Sequence, residues 1–275
     1  MNAPSPVPRP AAGEAIVQRE DRDGIALIAL NRPEARNSLS AAMLQALTQT
    51  FADIAADRRV RAVVVAANGP GFCGGHDLKE ITEHRNDADG GRAYTHDLME
   101  RCSAMMQSIH RLPQPVIAAV EGPASAAGCQ LVATCDLAVA SRTASFATPG
   151  VNIGLFCSTP MVALSRNVAP KHAMEMLLTG ELVSAEDAYR IGLVNRVVEA
   201  GTAREAAFEL ARKITAKSAL TIKLGKEAFY RQLDMSLPEA YRFANQVMIE
   251  NMMVRDANEG ISAFVEKRTP TWEDR

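Results

Sequence analysis

Twice in this chain a short branched apolar run empties into a loop of small residues. Arg61–Ala66 leads to Gly69-Pro-Gly-Phe-Cys-Gly-Gly-His-Asp77, and Pro115–Val120 leads to Gly122-Pro-Ala-Ser-Ala-Ala-Gly-Cys-Gln130. Valine-rich runs of this length read as buried strands. In the first loop Gly74 and Gly75 can take backbone angles closed to other residues. Such a bend can turn consecutive N–H groups toward one point. The second loop enters a helix start, where N–H groups lack partners and the dipole is positive. Either loop alone reads first as close helix–strand packing. Two of them converging would place two N–H donors on one oxygen, which is an oxyanion hole.

The rest of the chain sets these loops in an α/β frame. Ala15–Arg19 and Gly24–Leu30 read as strands around an Asp-Arg-Asp-Gly turn. Ser40 is the expected N-cap of a helix to about Ala56, with Met43, Leu44, Leu47 and Phe51 at helical spacing. Residues 82–92, polar and Gly-ended, are expected to be mobile. A helix from Arg92 to Leu112 stops at Pro113. Asp136–Ala140 reads as a strand, and from Pro160 the chain reads as successive helices punctuated by Gly180, Gly192, Gly201 and Pro238. The expected division is a disordered proline-rich lead (1–14), an α/β core (15–200) and a helical C-terminal region (201–275).

Composition excludes several functions. A net charge of −2 makes no case for nucleic acid or an anionic membrane surface. No uncharged apolar run approaches the roughly 18 residues of a membrane span. The five cysteines are odd in number and form no C-x-x-C pair, which argues against a disulfide framework or a zinc site. A reducing, cytoplasmic location is the expectation, with a transit-peptide reading of the Arg-bearing lead as the lesser alternative. His84, His96, His110 and His172 have no ligand spacing, so no metal is expected. Gly69, Gly71 and Gly74 spell a G-x-G-x-x-G. It lies outside the opening strand–turn–helix unit, carries Pro70 in the turn, and lacks an acid at a strand end about twenty residues on, all against a dinucleotide fold.

Taken in order, five segments resemble the crotonase superfamily, the enoyl-CoA hydratase/isomerase family. They are Leu30-Asn-Arg-Pro-Glu-Ala-Arg-Asn-Ser-Leu39, Phe72-Cys-Gly-Gly-His-Asp-Leu78, Pro115-Val-Ile-Ala-Ala-Val-Glu-Gly122, Cys135-Asp-Leu-Ala-Val-Ala140 and Glu259-Gly-Ile-Ser-Ala-Phe-Val-Glu-Lys-Arg268. The resemblance implies an α/β fold: a crotonase-type ββα spiral core with a helical C-terminal trimerisation region, assembled as a homotrimer or a dimer of trimers. It implies a coenzyme A thioester as substrate or ligand, with no permanently bound cofactor. The backbone N–H groups of His76 and Ala127 would hold the thioester oxygen. Asp77, Leu78 and Lys79 would lie along the coenzyme, Arg36 would meet its phosphates, and Phe264 and Lys267 would close the site, across a subunit boundary.

The sequence departs from that family at its chemistry. The two glutamates of a hydratase fall on Gln130 and Gly150. Adding water to a conjugated double bond needs a base for the water and an acid for the α-carbon, each giving about 10²–10⁴-fold. Neither Gln130 nor Gly150 can act so. Phe146–Pro160 resembles a subgroup of hydratase-domain-containing proteins. Nearby, the His76 ring, Asn152, Cys157 and Ser158 are weighed as substitutes, each also explicable as packing or turn chemistry. Three functions remain open: a hydratase or isomerase, another CoA-thioester reaction such as decarboxylation using the hole alone, and an acyl-CoA binder without catalysis.

Overall fold

The computed structural model describes residues 14–275, so nearly all of the lead expected to be disordered lies outside the described residues. In chain order the elements are β1 (Val17–Arg22), β2 (Ile25–Leu30), α1 (Ala41–Ala56), β3 (Ala62–Ala67), α2 (Leu78–Glu83), α3 (Arg92–Arg111), β4 (Val116–Val120), β5 (Ala124–Ser125), α4 (Ala127–Thr134), β6 (Leu137–Ser141) and β7 (Ser145–Ala147). Then follow α5 (Ser158–Asn167), α6 (Pro170–Thr179), β8 (Val183–Ser184), α7 (Ala185–Arg190), β9 (Arg196–Val198), α8 (Ala203–Thr215), α9 (Ala219–Gln232), α10 (Leu237–Met253) and α11 (Arg255–Glu266). The main sheet has the order β1-β2-β3-β4-β6-β9. Only β1 and β2 are antiparallel; the other neighbours are parallel. A second sheet, β5-β7-β8, adjoins the start of α4.

Every position of β2 and β4 is buried because both faces of the sheet are covered. Side chains alternate between two cores. Ile28, Leu30, Val63 and Val65 meet Met43, Leu44, Leu47 and Phe51 of α1; Ile25, Leu27, Val64 and Ala66 meet Ala203, Ala207, Phe208 and Ala211 of α8. Ser40 caps α1 as expected, its Oγ accepting the Met43 N–H at 3.1 Å. The alanine stripe of α8 fits it flat against the sheet, so this helix belongs to the core although it lies beyond residue 200.

Residues 82–92, the polar and Gly-ended segment, carry regular local geometry. The end of α2 passes into a 3-10 turn at His84–Asn86, and the His84 ring stacks on Tyr94 at 3.7 Å. The Asp89 carboxylate accepts the N–H groups of Gly91 and Ala93 and so opens α3. The short strands β7, β8 and β9 were not anticipated, being two or three residues long.

No residue of α9 or α10 is buried in full within the chain, backbone and side chain together. One buried polar knot fastens α9. The Asp136 carboxylate accepts from Lys226 Nζ at 2.6 Å, the Tyr230 hydroxyl at 2.8 Å and the Val116 N–H at 2.6 Å. Lys226 also donates to the Ile109 and Gln114 carbonyls, both at 2.9 Å, so its three ammonium hydrogens are satisfied. Burial pulls the Lys226 pKa down while the Asp136 charge opposes that shift. Truncating Lys226 leaves a desolvated carboxylate short of its counter-charge. Lys226→Ala should therefore lose about 3–5 kcal/mol of stability in a denaturant titration.

Candidate active site

The two small-residue loops are stitched together by backbone. Phe72 and Cys73 donate N–H groups to the Pro123 carbonyl at 3.0 and 3.3 Å, and Ser125 donates to the Cys73 carbonyl at 2.9 Å. A methyl built on Gly128 would lie 2.1 Å from that same Cys73 oxygen, so no larger residue fits there. Gly75 has φ +95°, and a methyl on it would stand 3.0 Å from Ala126 Cβ and 3.4 Å from the Ala127 nitrogen. Ala126 itself sits at φ 49°, ψ −117°, a strained conformation for a residue with a β-carbon. Its N–H donates to the Ala147 carbonyl at 2.9 Å and holds it there.

That geometry frees two donors side by side. Ala127 is the first residue of α4, where an N–H has no intrahelical acceptor. His76 follows Gly75 directly. Among the described residues neither N–H has an acceptor. The segment before α1 props the first loop from behind. Leu39 donates to the Gly75 carbonyl at 2.8 Å and Gly74 to the Arg36 carbonyl at 2.9 Å, while the Asn37 amide donates to the Asn68 and Gly71 carbonyls, both at 3.0 Å.

The side chains around these donors are buried and neutral. Gln130, one turn into α4, is 6% exposed and its Oε1 has no partner; the hydroxyl of the buried Thr148 and the His76 Nε2 have none either. Each such orphan costs about 1–3 kcal/mol. Thr148 follows Ala147, whose carbonyl takes the Ala126 N–H just before α4. Burial pushes the His76 imidazole below its ordinary value of 6.5, and pushes the Cys157 thiol up, away from nucleophilic thiolate character.

Gly150 is more than a missing carboxylate. A methyl there would lie 2.7 Å from the Leu155 carbonyl oxygen and 2.9 Å from the Cys157 sulfur, so the following loop occupies the space of a side chain. Leu155 donates its N–H to the Gly150 carbonyl at 2.9 Å and closes that loop.

The other candidates lie further out. Asp77 is the N-cap of α2, accepting from the Lys79 N–H at 3.2 Å and pairing with Arg32 at 3.2 Å. Leu78, Lys79 and Arg36 are exposed along the same edge. Asn152 is exposed, with its amide nitrogen 3.1 Å from where a Gly180 methyl would be, so it packs on that turn. Ser158 opens α5 and its hydroxyl donates to the Phe156 carbonyl. Phe264, 86% exposed, and Lys267 stand at the end of α11. Sequence reasoning missed Thr148; its only signal was its place just before Pro149-Gly150.

Among the described residues no cluster of His, Cys, Asp or Glu is placed to hold a metal ion, and no helix is long and apolar enough to cross a membrane. An open groove lined by Gln18, Arg19, Asn68 and Arg204 lies at the β1–β2 side of the sheet and includes none of the site residues.

A parallel-sheet core with two stitched loops defines a crotonase-type protein, and comparison with known proteins agrees. The enoyl-CoA hydratase/isomerase family profile matches residues 20–275, and the chain belongs to that family. It is 46% identical over 267 residues to the rat protein "Enoyl-CoA hydratase domain-containing protein 3, mitochondrial", covering 96% of this chain and 87% of the relative. It is 47% identical to the human protein of that name over 265 residues, covering 96% and 84%. A solved enoyl-CoA hydratase structure from Mycobacterium smegmatis superposes with a TM-score of 0.90 at 52% identity, over 94% of this chain and 99% of that one. The subgroup resemblance seen in Phe146–Pro160 agrees with these relatives. The cytoplasmic expectation does not: the rat and human proteins are mitochondrial by name, which points to the mitochondrion instead. Absence of paired cysteines does not distinguish one reducing compartment from another.

The His76 shift has a measurable consequence. Below pH 6.5 the unfolded chain takes up a proton at this residue that the fold refuses, so stability falls as pH drops below 6.5 and is level above it. His110 shifts the same way, so the observable is the difference between wild type and His76→Gln. Acid-side denaturant titrations should show a shallower loss of stability with falling pH in the variant.

Proposed function

We propose that this protein binds an acyl-CoA thioester with its carbonyl oxygen between the His76 and Ala127 N–H groups, and that it is not an efficient hydratase. The observation that carries this reading is the pair of acceptor-free N–H groups brought together where Gly75 meets Ala127. Each donor is worth about 3 kcal/mol when negative charge develops on the oxygen, so the site favours an enolate of the thioester. Hydration needs proton transfer as well. Gln130 does not titrate in the usable range, and the Gly150 position is filled by Leu155 and Cys157.

Around the hole, the Asp77 cap and its pairing with Arg32 fix α2 so that Leu78 and Lys79 flank the coenzyme, and Arg36 offers a charge to its phosphates. The thioester is ligand or substrate, and no resident cofactor is needed. Phe264 and Lys267 reach the site from a neighbouring copy. Apolar side chains left open on the C-terminal helices, among them Tyr241, Met248, Ile249 and Met252 of α10, support assembly as a trimer or dimer of trimers.

Calorimetry should detect butyryl-CoA binding. Crotonyl-CoA hydration should run at least about 10⁴-fold below a family enzyme that has both glutamates. Gly150→Glu alone should not raise it, because the new side chain collides with the Leu155 carbonyl. Hydration at ordinary family rates by the wild-type protein overturns the reading.

A further inference from the structure

Beyond α11 the chain turns back on itself and is bonded along its length. α11 ends at Lys267, which takes φ 57°, and Arg268 donates its N–H to the Ala263 carbonyl at 2.9 Å. The segment then returns to the first turn of α11, where Asp256 is 1% exposed. The Glu273 N–H donates to Asp256 Oδ1 and the Asp274 N–H to Oδ2, both at 2.9 Å, while Asp256 gives its own N–H to the Arg275 carbonyl at 3.0 Å. Consecutive N–H groups turned to one side form a seat for an anion. Here the anion is the chain's own carboxylate, at a helix start whose dipole favours it. Asp274 reaches this shape at φ 58°, which a residue with a β-carbon keeps only where its surroundings hold it.

Other bonds tie the segment to the core. The Asp274 carboxylate accepts from Arg61, which precedes β3, and from the Ala219 N–H that opens α9, both at 2.7 Å. Arg61 donates as well to the Thr215 and Lys217 carbonyls at the end of α8. Trp272 Nε1 donates to the Ala216 carbonyl at 2.9 Å, and its ring lies against Gly260, where an added methyl would be 3.2 Å away. Arg255 pairs with Glu273 at 2.7 Å, and Glu259 takes the Thr271 N–H at 2.8 Å. α11 places little of its own surface in the interior: of its residues only Asp256 and Ala263 are buried. The returning segment, more than an apolar face, fixes where this helix lies.

We propose that Thr271–Arg275 is a strap that sets the position of α11, with Asp256 and Trp272 as positioning residues for Phe264 and Lys267 at the thioester site of a neighbouring copy. This rests on the thioester reading above and adds what holds its closing residues in place. Asp256 and Trp272 need not touch the ligand. Their effect passes along α11, whose far end carries Phe264 and Lys267.

The test joins hydrogen exchange to calorimetry of butyryl-CoA on the full chain. Asp256→Asn keeps the size of the side chain but puts an amide into a seat of N–H donors. Amides of α11 and of residues 271–275 should then exchange at least about tenfold faster, with β2, β3 and β4 unchanged. Butyryl-CoA should bind about tenfold more weakly. Trp272→Phe, which removes the indole N–H, should move both readings the same way by less. In a protein already carrying Phe264→Ala and Lys267→Ala, Asp256→Asn should no longer change the affinity. Faster exchange in β2, β3 and β4 as well, or no change in α11, overturns the strap. Local loosening with unchanged affinity overturns the positioning role and leaves the thioester site standing. No binding of butyryl-CoA by the wild-type protein overturns the thioester site, and the positioning role with it.

Discussion

Ser125 gives its N–H to the Cys73 carbonyl, and Pro123 receives those of Phe72 and Cys73, so two loops fifty residues apart behave as one piece of backbone. That contact is possible only where side chains are absent: at Gly128, which faces the Cys73 carbonyl, and at Gly75, which faces Ala126 and Ala127. The parallel strands β3 and β4 deliver the loops to the same edge of the sheet. The strain at Ala126 is held by its bond to Ala147. Two N–H groups then lack acceptors because of where the chain must run, and they are fixed before any ligand arrives.

The surroundings separate binding from proton transfer. A carboxylate pair would need solvent or hydrogen-bond support in this buried pocket. In its place are an uncharged amide at Gln130 and, at Gly150, a loop closed by Leu155 and Cys157. The thiols nearby are driven toward neutrality by burial, Cys129 to about 12. The site is thus rich in fixed dipoles and poor in groups that titrate near neutral pH.

Much of the frame was legible in the sequence. The Ser40 cap with its buried helix face, the valine strands and the small-residue loops are local patterns, and local patterns carry their own physics. What escaped was non-local. The strands β7, β8 and β9 are too short to show periodicity and exist because a neighbour pairs with them. The Lys226–Asp136 knot joins residues ninety positions apart, with nothing in either neighbourhood to announce it. The sequence read Gly150 as an empty place, whereas only packing reveals that it is a full one. Thr148 drew no notice because a single threonine before a proline is ordinary until its hydroxyl is seen buried without a partner.

The central claim is that the His76 and Ala127 N–H groups polarise a thioester carbonyl. Infrared spectroscopy of butyryl-CoA labelled with ¹³C at that carbon measures it directly. The account predicts that binding moves the carbonyl stretch to lower frequency than in water, as two fixed donors in a dry site require. A stretch that stays at its aqueous position, or rises as it does in an apolar medium, would contradict it.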